Sequence, residues 1–403
     1  MLTVKTPDEA LQIIRDRYRP QLQKSVRICI NDACGRILHA DIIAAEYVPG
    51  FDRSTVDGYA VISADTFGSS AAIPAMLRVS GEVMMGQPAD VDIEPGTCVA
   101  VSTGSDLPDG ADSVVMLEHT EDYGDGLIGI TSPVAPGNNM IFRGDDVSPG
   151  DRVLTGGSLL APHDIGILSA LGLDSVDVRR KPLVGVISTG DELVETATVP
   201  LRGQIRDVNT PLLMAAVRQL GSEVKSYGII RDDESALRHA LSRAASECDI
   251  VLISGGSSAG MRDLTSRVIE TLGIILFHGV AMKPGKPTIL GDIGGKPVFG
   301  LPGHPVAAYF ITEIFVGPLI ALLTGSRQKQ RAVSACTGEA ISANHGRAEY
   351  IAVMLENEDT IVRPVRGKSG LIASLARTDG YICIPRDLEG LPKGAEVTVT
   401  LWQ

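Results

Sequence analysis

Aromatic side chains are scarce in this chain of 403 residues: one tryptophan, seven phenylalanines and eight tyrosines. Its cores must therefore be built from Val, Ile, Leu and Ala, and a base-stacking surface would have few rings to draw on. Positive charge is also in short supply. Lys plus Arg number 36 against 49 Asp plus Glu, a formal charge of -13, which opposes a broad grip on a phosphate backbone and excludes nucleic acid as the expected partner. The six cysteines, Cys29, Cys34, Cys98, Cys248, Cys336 and Cys383, form no Cys-x-x-Cys pair and have no histidine at zinc-finger spacing; buried, reduced thiols are expected. The opening MLTVKTPDEALQII is too polar for a secretory apolar core, so a cytoplasmic location is expected. Only Pro305 to Leu323 is long and apolar enough to raise a membrane span. Glu313 and the Gly317-Pro318 break inside it argue instead for a buried, kinked helix, with no membrane involved.

Glycine, by contrast, is abundant: 44 residues, or about 11% against the usual ~7%, which implies many tight turns or ligand-cradling loops. Thr6-Pro7-Asp8-Glu9 supplies a cap, a proline at the first helical position and an acid at the third, and Leu11, Ile14 and Tyr18 then share one face. From about residue 25 to 160, short Val/Ile/Thr runs such as Thr97 to Ser102 and Ser113 to Leu117 are broken by Gly, Pro and Asp, the texture of strands and turns. After Lys181-Pro182 the rhythm changes. Strands at Leu183 to Ser188, Val224 to Ile230, Ile250 to Ser254, Ile274 to Phe277 and Val298 to Leu301 alternate with helices at Asn209 to Leu220, Asp232 to Ser246 and Asp263 to Leu272. Such alternation predicts a doubly wound, mainly parallel sheet covered on both faces, an α/β fold. A tail of short strands follows from about 330.

In open parallel sheets ligands bind beyond the carboxyl ends of the strands. Three strand tails stand out there: Thr189-Gly190-Asp191-Glu192; Ser254-Gly255-Gly256-Ser257-Ser258; and Leu301-Pro302-Gly303-His304-Pro305. Backbone amides of such loops at helix starts make anion nests. Glu192, Asp232 and Asp263 on the same edge would repel an anion unless a divalent cation lies between, and oxygen-only ligands favour Mg²⁺ over zinc. Cations come from Lys283-Pro284-Gly285-Lys286-Pro287, a rigid turn projecting two ammonium groups, and from Asn344-His345-Gly346-Arg347 and Gly367-Lys368-Ser369-Gly370. The last is no Walker A loop, because residue 362 is valine where that motif needs glycine. In the first half, residues 49–60, 102–104 and 143–146 are too polar and turn-rich to be simple strands. The seven histidines show no pairing, and none is given a catalytic task.

FDRSTVDGYAV, STGDEL, SGGSSAGMRD, FHGVAMKPGKP, GLPGHPV and GKSGLIASLARTDGY occur in an order and approximate spacing that resembles the molybdopterin molybdenumtransferases, a family related to the gephyrin E domain. FHGVAMKPGKP followed by GLPGHPV is the specific part. The resemblance implies an enzyme that inserts molybdenum from molybdate into adenylylated molybdopterin, releasing AMP with Mg²⁺ assistance. It also implies four regions: an elongated linker from residues 1–45 and 141–180, a β-rich region over 46–140, a central molybdopterin-binding α/β domain over 181–326 and a C-terminal β-barrel over 327–403. A homodimer is implied too, with contacts to the molybdopterin adenylyltransferase and to apo-molybdoenzymes. Motif by motif, catalytic roles fall on Asp57, Thr103, Asp146, Glu192, Asp232, Asp263, Lys283, Pro302 and Pro305. Binding of molybdate and the pterin falls on Lys283, Lys286, Arg347, Ser369, Gly255, Gly256 and Ser257, and the metal on Glu192, Asp232 and Asp263. The chain departs from the family pattern at Gly279, Ile141, His304 and Ala307. A tungstate-inserting paralogue and a noncatalytic molybdopterin-binding assembly module are the alternatives.

Overall fold

Thr6 and Glu9 close a reciprocal capping box: the Thr6 N–H donates to Glu9 Oε2 at 2.7 Å and the Glu9 N–H to Thr6 Oγ1 at 3.2 Å. This starts the helix Pro7–Arg17, which buries Ala10 and Ile14, and with them Tyr18 just beyond its end. The structure is a computed structural model that describes residues 4–20, 24–255, 259–326, 330–365 and 367–402, with backbone alone for 259–263. The chain folds into two units, one comprising Ala40–Gly156 and Pro162–Ser175, the other the remainder.

The larger unit is organised around a six-stranded sheet in the order Glu223–Ile230, Leu183–Thr189, Ile250–Gly255, Lys296–Leu301, Ile289–Ile293, Ile274–His278. Its first three pairings are parallel and its last two antiparallel. Because successive strand residues face opposite ways, Val184, Val186, Ile250 and Leu252 pack toward the helices Pro7–Arg17, Asn209–Gln219 and the apolar run. Ile187, Val251 and Ile253 pack toward Glu234–Glu247 and Ala259–Leu272. The strand Ile289–Ile293 is an addition to the expected set. A glycine and an aspartate interrupt its apolar run, but Gly294 and Gly295, with φ of 58° and 80°, make the tight turn that folds it back on Lys296–Leu301.

The apolar run is helical and buried, as expected. Pro305–Ile311 and Gly317–Thr324 are α-helical, and a π-helical turn, Thr312–Val316, joins them and carries Glu313 at 4% exposure. After it, Ala348–Glu356, Ile361–Pro364, Ala332–Thr337, Glu396–Leu401 and Gly380–Ile384 pair in that order, and the last returns to the first. The result is a closed five-stranded barrel around Val353, Val362, Ile382 and Val399.

In the smaller unit Ser113–Met116, Gly58–Val61, Thr97–Val101, Ala75–Val83, Leu127–Ile130 and Thr120–Asp122 form a second sheet. Adjacent residues again divide between two cores, Ala60, Val99 and Val114 on one side and Val61, Cys98 and Val115 on the other. Gly58 is required where it is: a Cβ there would sit 1.8 Å from the Val115 carbonyl oxygen. All six cysteines are free thiols, but only Cys98 and Cys248 are buried. The other four occupy exposed positions, which corrects the expectation of burial. Alternating strands turn half their side chains outward, and Cys336 and Cys383 are such outward residues of the barrel strands.

Candidate active site

The chain segment carrying the two-lysine turn leaves the central sheet and is taken up by the barrel: Met282–Lys283 pairs in parallel with Ala348 and Glu349. Lys283 Nζ meets Glu349 Oε1 at 2.6 Å, and the other Glu349 oxygen accepts the Asn344 N–H at 3.1 Å. Glu349 is only 8% exposed, so its charge is held by these two donors rather than by water. The turn itself is fixed from beneath. The N–H and hydroxyl of fully buried Thr288 both donate to the Gly285 carbonyl, at 3.2 and 2.7 Å, and the Val280 N–H donates to the Lys286 carbonyl at 2.9 Å. Gly285 has φ of 110°, and a Cβ there would meet Ile311 Cδ1 at 2.6 Å; only glycine fits both constraints.

Lys283, Lys286, Pro302, Arg347 and Ser369 line one cleft of about 800 Å³, joined there by His304 and Lys368. The Ser369 hydroxyl and His304 Nδ1 lie 2.8 Å apart, and the Val306 N–H donates to the Ser369 carbonyl. Two of the sequence departures therefore belong to this cleft: His304 holds Ser369, and Ala307 is part of the wall. Pro305 is the first residue of the helix behind it. Tyr350 and Phe310 supply the apolar part of the lining. The arrangement is a rigid, cation-lined slot suited to a small oxyanion.

The acids gather elsewhere, at the carboxyl end of the neighbouring strands Leu183–Thr189 and Glu223–Ile230. Asp191 and Asp232 share a second cleft of about 570 Å³ with Asp233 and Arg231, and the Asp232 N–H donates to Asp191 Oδ1 at 3.4 Å. The Glu192 carboxylate curls so tightly over Gly190 that a Cβ there would lie 2.8 Å from its Oε2. Burial, then the charges of Asp191 and Glu192, push the Asp232 carboxyl above its ordinary value. Asp191 stands in the STGDEL motif, but the sequence alone assigns it no role. Among the described residues no three His, Cys, Asp or Glu side chains form a metal-holding group; the side chain of Asp263, third of the expected metal ligands, lies outside the described residues, as do Gly256 and Ser257. Gly255 is described, and pairs with Thr189 at φ of 147°.

Asn209 and Asp207 are further members of this edge that sequence reasoning misses. Asn209 Nδ2 donates to Ser254 Oγ at 2.6 Å and to the Gly303 carbonyl at 2.8 Å, tying two of the three strand tails together. Asp207 Oδ1 accepts from the Ser188 hydroxyl and from the Thr210 N–H, at 3.1 and 3.0 Å. The helix start N-T-P is the available signal.

In the smaller unit the three irregular segments converge. Asp57 Oδ1 accepts from the Thr103 N–H at 2.8 Å and its hydroxyl at 3.2 Å, and Asp52 Oδ1 accepts the Arg143 N–H at 2.7 Å. The Asp146 N–H donates to the Val48 carbonyl. Asp57 and Thr103 are thus a bonded pair, and Asp146 is attached to the same loop system through its backbone.

Three family descriptions match in chain order: "MoeA N-terminal region (domain I and II)" over residues 5–172, "Probable molybdopterin binding domain" over 185–322 and "MoeA C-terminal region (domain IV)" over 334–402. The chain is 31% identical to the molybdopterin molybdenumtransferase of Bacillus subtilis over 410 residues, covering 100% of this chain and 95% of the relative. It belongs to the molybdopterin molybdenumtransferase family. The Haemophilus influenzae member is 38% identical over 299 residues, 74% of this chain and 73% of its own. A crystal structure of a molybdopterin biosynthesis moeA protein from Pyrococcus horikoshii OT3 superposes with a TM-score of 0.88 at 35% identity, covering 99% of this chain and 100% of that one. The family and the multidomain α/β fold expected from the motifs are those found. The 185–322 match spans the central sheet, and the 334–402 match the closed barrel.

Proposed function

We propose that this transferase inserts molybdenum from molybdate into adenylylated molybdopterin and releases AMP, as a cytoplasmic homodimer. The observation that carries the reading is the single cleft in which Lys283, Lys286, Arg347 and Ser369 stand around the rigid Pro-Gly turn. A tetrahedral dianion is matched by ammonium and guanidinium donors held in advance, so little reorganisation is needed when it binds. Lys286 and Arg347 supply the charge, Ser369 a hydroxyl oriented by His304, and Lys283 a cation whose position Glu349 sets.

The acid edge is the proposed place for Mg²⁺. Glu192 and Asp232 are oxygen donors there; burial first, and then the charges of Asp191 and Glu192, raise the Asp232 carboxyl, and a divalent ion would relieve the second of these. When bound there, Mg²⁺ would neutralise the substrate pyrophosphate and polarise its phosphorus as a Lewis acid. The chain's own contribution at that edge is to place the Glu192 and Asp232 carboxylates and to present the backbone of the Gly190 loop to the substrate phosphates; Asp263 is the third ligand proposed from the sequence.

We further propose the four-region division, with the linker over 1–45 and 141–180, and a site completed across the dimer by Asp57, Thr103 and Asp146. An enzyme that adenylylates molybdopterin would supply the substrate, and apo-molybdoenzymes would take the product. Anaerobic incubation with adenylylated molybdopterin, molybdate and Mg²⁺ should yield AMP and active cofactor together. Binding of the pterin nucleotide with no AMP release would make the chain an assembly module, and preference for tungstate in direct competition would make it a tungsten paralogue. Mixing inactive Asp57→Ala and Asp263→Ala subunits should restore part of the activity; failure despite confirmed subunit exchange removes the shared site.

A further inference from the structure

Within the larger unit another cleft, of about 430 Å³, lies away from the two just described. Six parts of the chain build it: residues 35–37, Leu159, residues 179–181, residues 219–221, the end of the apolar rod with Gln330 and Arg331, and the barrel's terminal Leu401 and Trp402. Its lining has a charge bias the whole chain lacks. Among the described residues five cations, Arg36, Arg179, Arg180, Lys181 and Arg331, face it and no Asp or Glu does, in a chain carrying 13 more acids than bases. A one-signed lining between apolar walls focuses potential on whatever enters.

Three of the cations have structural work. Arg179 Nη1 donates to the Thr324 carbonyl at 2.7 Å, Arg36 Nη2 to the Arg179 carbonyl at 3.2 Å, and Arg180 Nη2 to Asp249. They fix the rim. Lys181 and Arg331 have no carboxylate within salt-bridge reach among the described residues. The apolar part of the lining is made by Ile37, Leu159, Leu220, Ile320, Leu401 and Trp402. Trp402 cannot swing freely, because its Nε1–H donates to Thr378 Oγ1 at 2.9 Å and its ring lies 5.1 Å from that of Tyr381.

We infer that this cleft is a further binding site, for a small ligand combining a flat apolar ring with a phosphate or carboxylate. The volume is that of a small-molecule pocket. The anionic group is recognised by Lys181 and Arg331, and the ring by Trp402 and the aliphatic lining. Nothing in this assignment depends on the proposed molybdenum chemistry.

Trp402 is the chain's single tryptophan, so its emission in the unmodified protein reports on this cleft without labelling. Phenyl phosphate and benzoate are the two probes, with inorganic phosphate and phenol as the separated halves. A saturable emission change with half-saturation near ~1 mM is expected for one of the intact probes, at least roughly tenfold tighter than for either of its halves tested alone. Which probe is tighter identifies the anionic group. Lys181→Ala and Arg331→Ala should each weaken it roughly tenfold, with Arg331→Lys retaining part of the affinity. If Arg331→Ala melts early, Lys181→Gln at its partly buried position carries the same test. Lys286→Ala, in the other cleft, should leave the titration unchanged. No saturable change with either probe up to about ten times that concentration, a change that survives loss of both cations, or one abolished by Lys286→Ala instead, would each overturn the assignment.

Discussion

Lys283 Nζ and Glu349 Oε1 are 2.6 Å apart, across 66 residues of chain. The first lysine of the turn is therefore committed to the barrel, and it joins two domains as well as facing the cleft. Lys283 is half exposed while Glu349 is nearly buried. Removing the lysine strands a carboxylate that, among the described residues, keeps only the Asn344 N–H.

Lys283→Ala should thus lower stability by ~1–3 kcal/mol, beyond what a lost surface charge costs. Lys283→Ala combined with Glu349→Ala should recover part of it. A double-mutant cycle by denaturant unfolding should give a coupling of about 1–2 kcal/mol. A coupling near zero would show that the pair is an incidental surface contact. Activity should not return in the double variant, since the cleft still lacks its cation.

Glu313 offers a pH signature in the interior. Burial pushes its carboxyl up to about 7, with the Tyr309 hydroxyl bond pulling weakly the other way. In the unfolded chain the same group ionises near 4.5. The folded protein therefore holds the proton more tightly. This contribution is fully present below the unfolded value, is lost as pH rises toward about 7, and is flat beyond. The difference corresponds to ~3 kcal/mol. Glu313→Gln should be nearly neutral in acid and should become the more stable protein by up to that amount as the pH is raised. Parallel stability profiles for the two proteins would remove Glu313 as the cause.

Much of this site can be read in the chain. STGDEL and the acids after Ile230 are forty residues apart, yet alternating strands and helices place consecutive strand tails on one edge, and Glu192 does act on Asp232. The two-lysine turn is legible because Pro and Gly at fixed positions restrict the backbone whatever surrounds it. Glu349 is not, because an ion pair between domains leaves no local pattern. The strand Ile289–Ile293 escapes for a related reason: an antiparallel strand inserted by a Gly-Gly turn breaks the alternation by which the others are found. The three irregular segments of the first half can be flagged in the sequence but not joined. Only the sheet register brings Asp57 to Thr103.

Asp232 makes the metal proposal measurable without turnover. Burial and the charges of Asp191 and Glu192 raise its carboxyl, so its contribution to stability declines as pH rises through the folded value. Asp232→Asn should be more stable than the parent near neutrality at low salt, with the difference vanishing in acid. Mg²⁺ should stabilise the parent by about 1.4 kcal/mol at ten times its Kd, rising logarithmically with concentration, and the variant much less. Identical Mg²⁺ responses in the two proteins would place the ion elsewhere.

Lys286 and Arg347 test where the oxyanion sits. Lys286 is anchored through its own carbonyl to Val280 and through the turn to Thr288, and Arg347 reaches the same cleft from the start of the barrel strand that pairs with Lys283. With Lys283 engaged by Glu349, these two carry most of the remaining positive charge facing a dianion. Removing a preorganised donor from such a site costs ~2–4 kcal/mol, so Lys286→Ala and Arg347→Ala should each weaken molybdate use by roughly ten- to a thousandfold. The pterin nucleotide has a long pyrophosphate and a ring with other contacts, and its binding should change far less. Molybdate in the millimolar range should then restore part of the activity of both variants. Loss of pterin-nucleotide binding, with no rescue by molybdate, would assign these cations to the substrate phosphates and move the oxyanion out of this cleft.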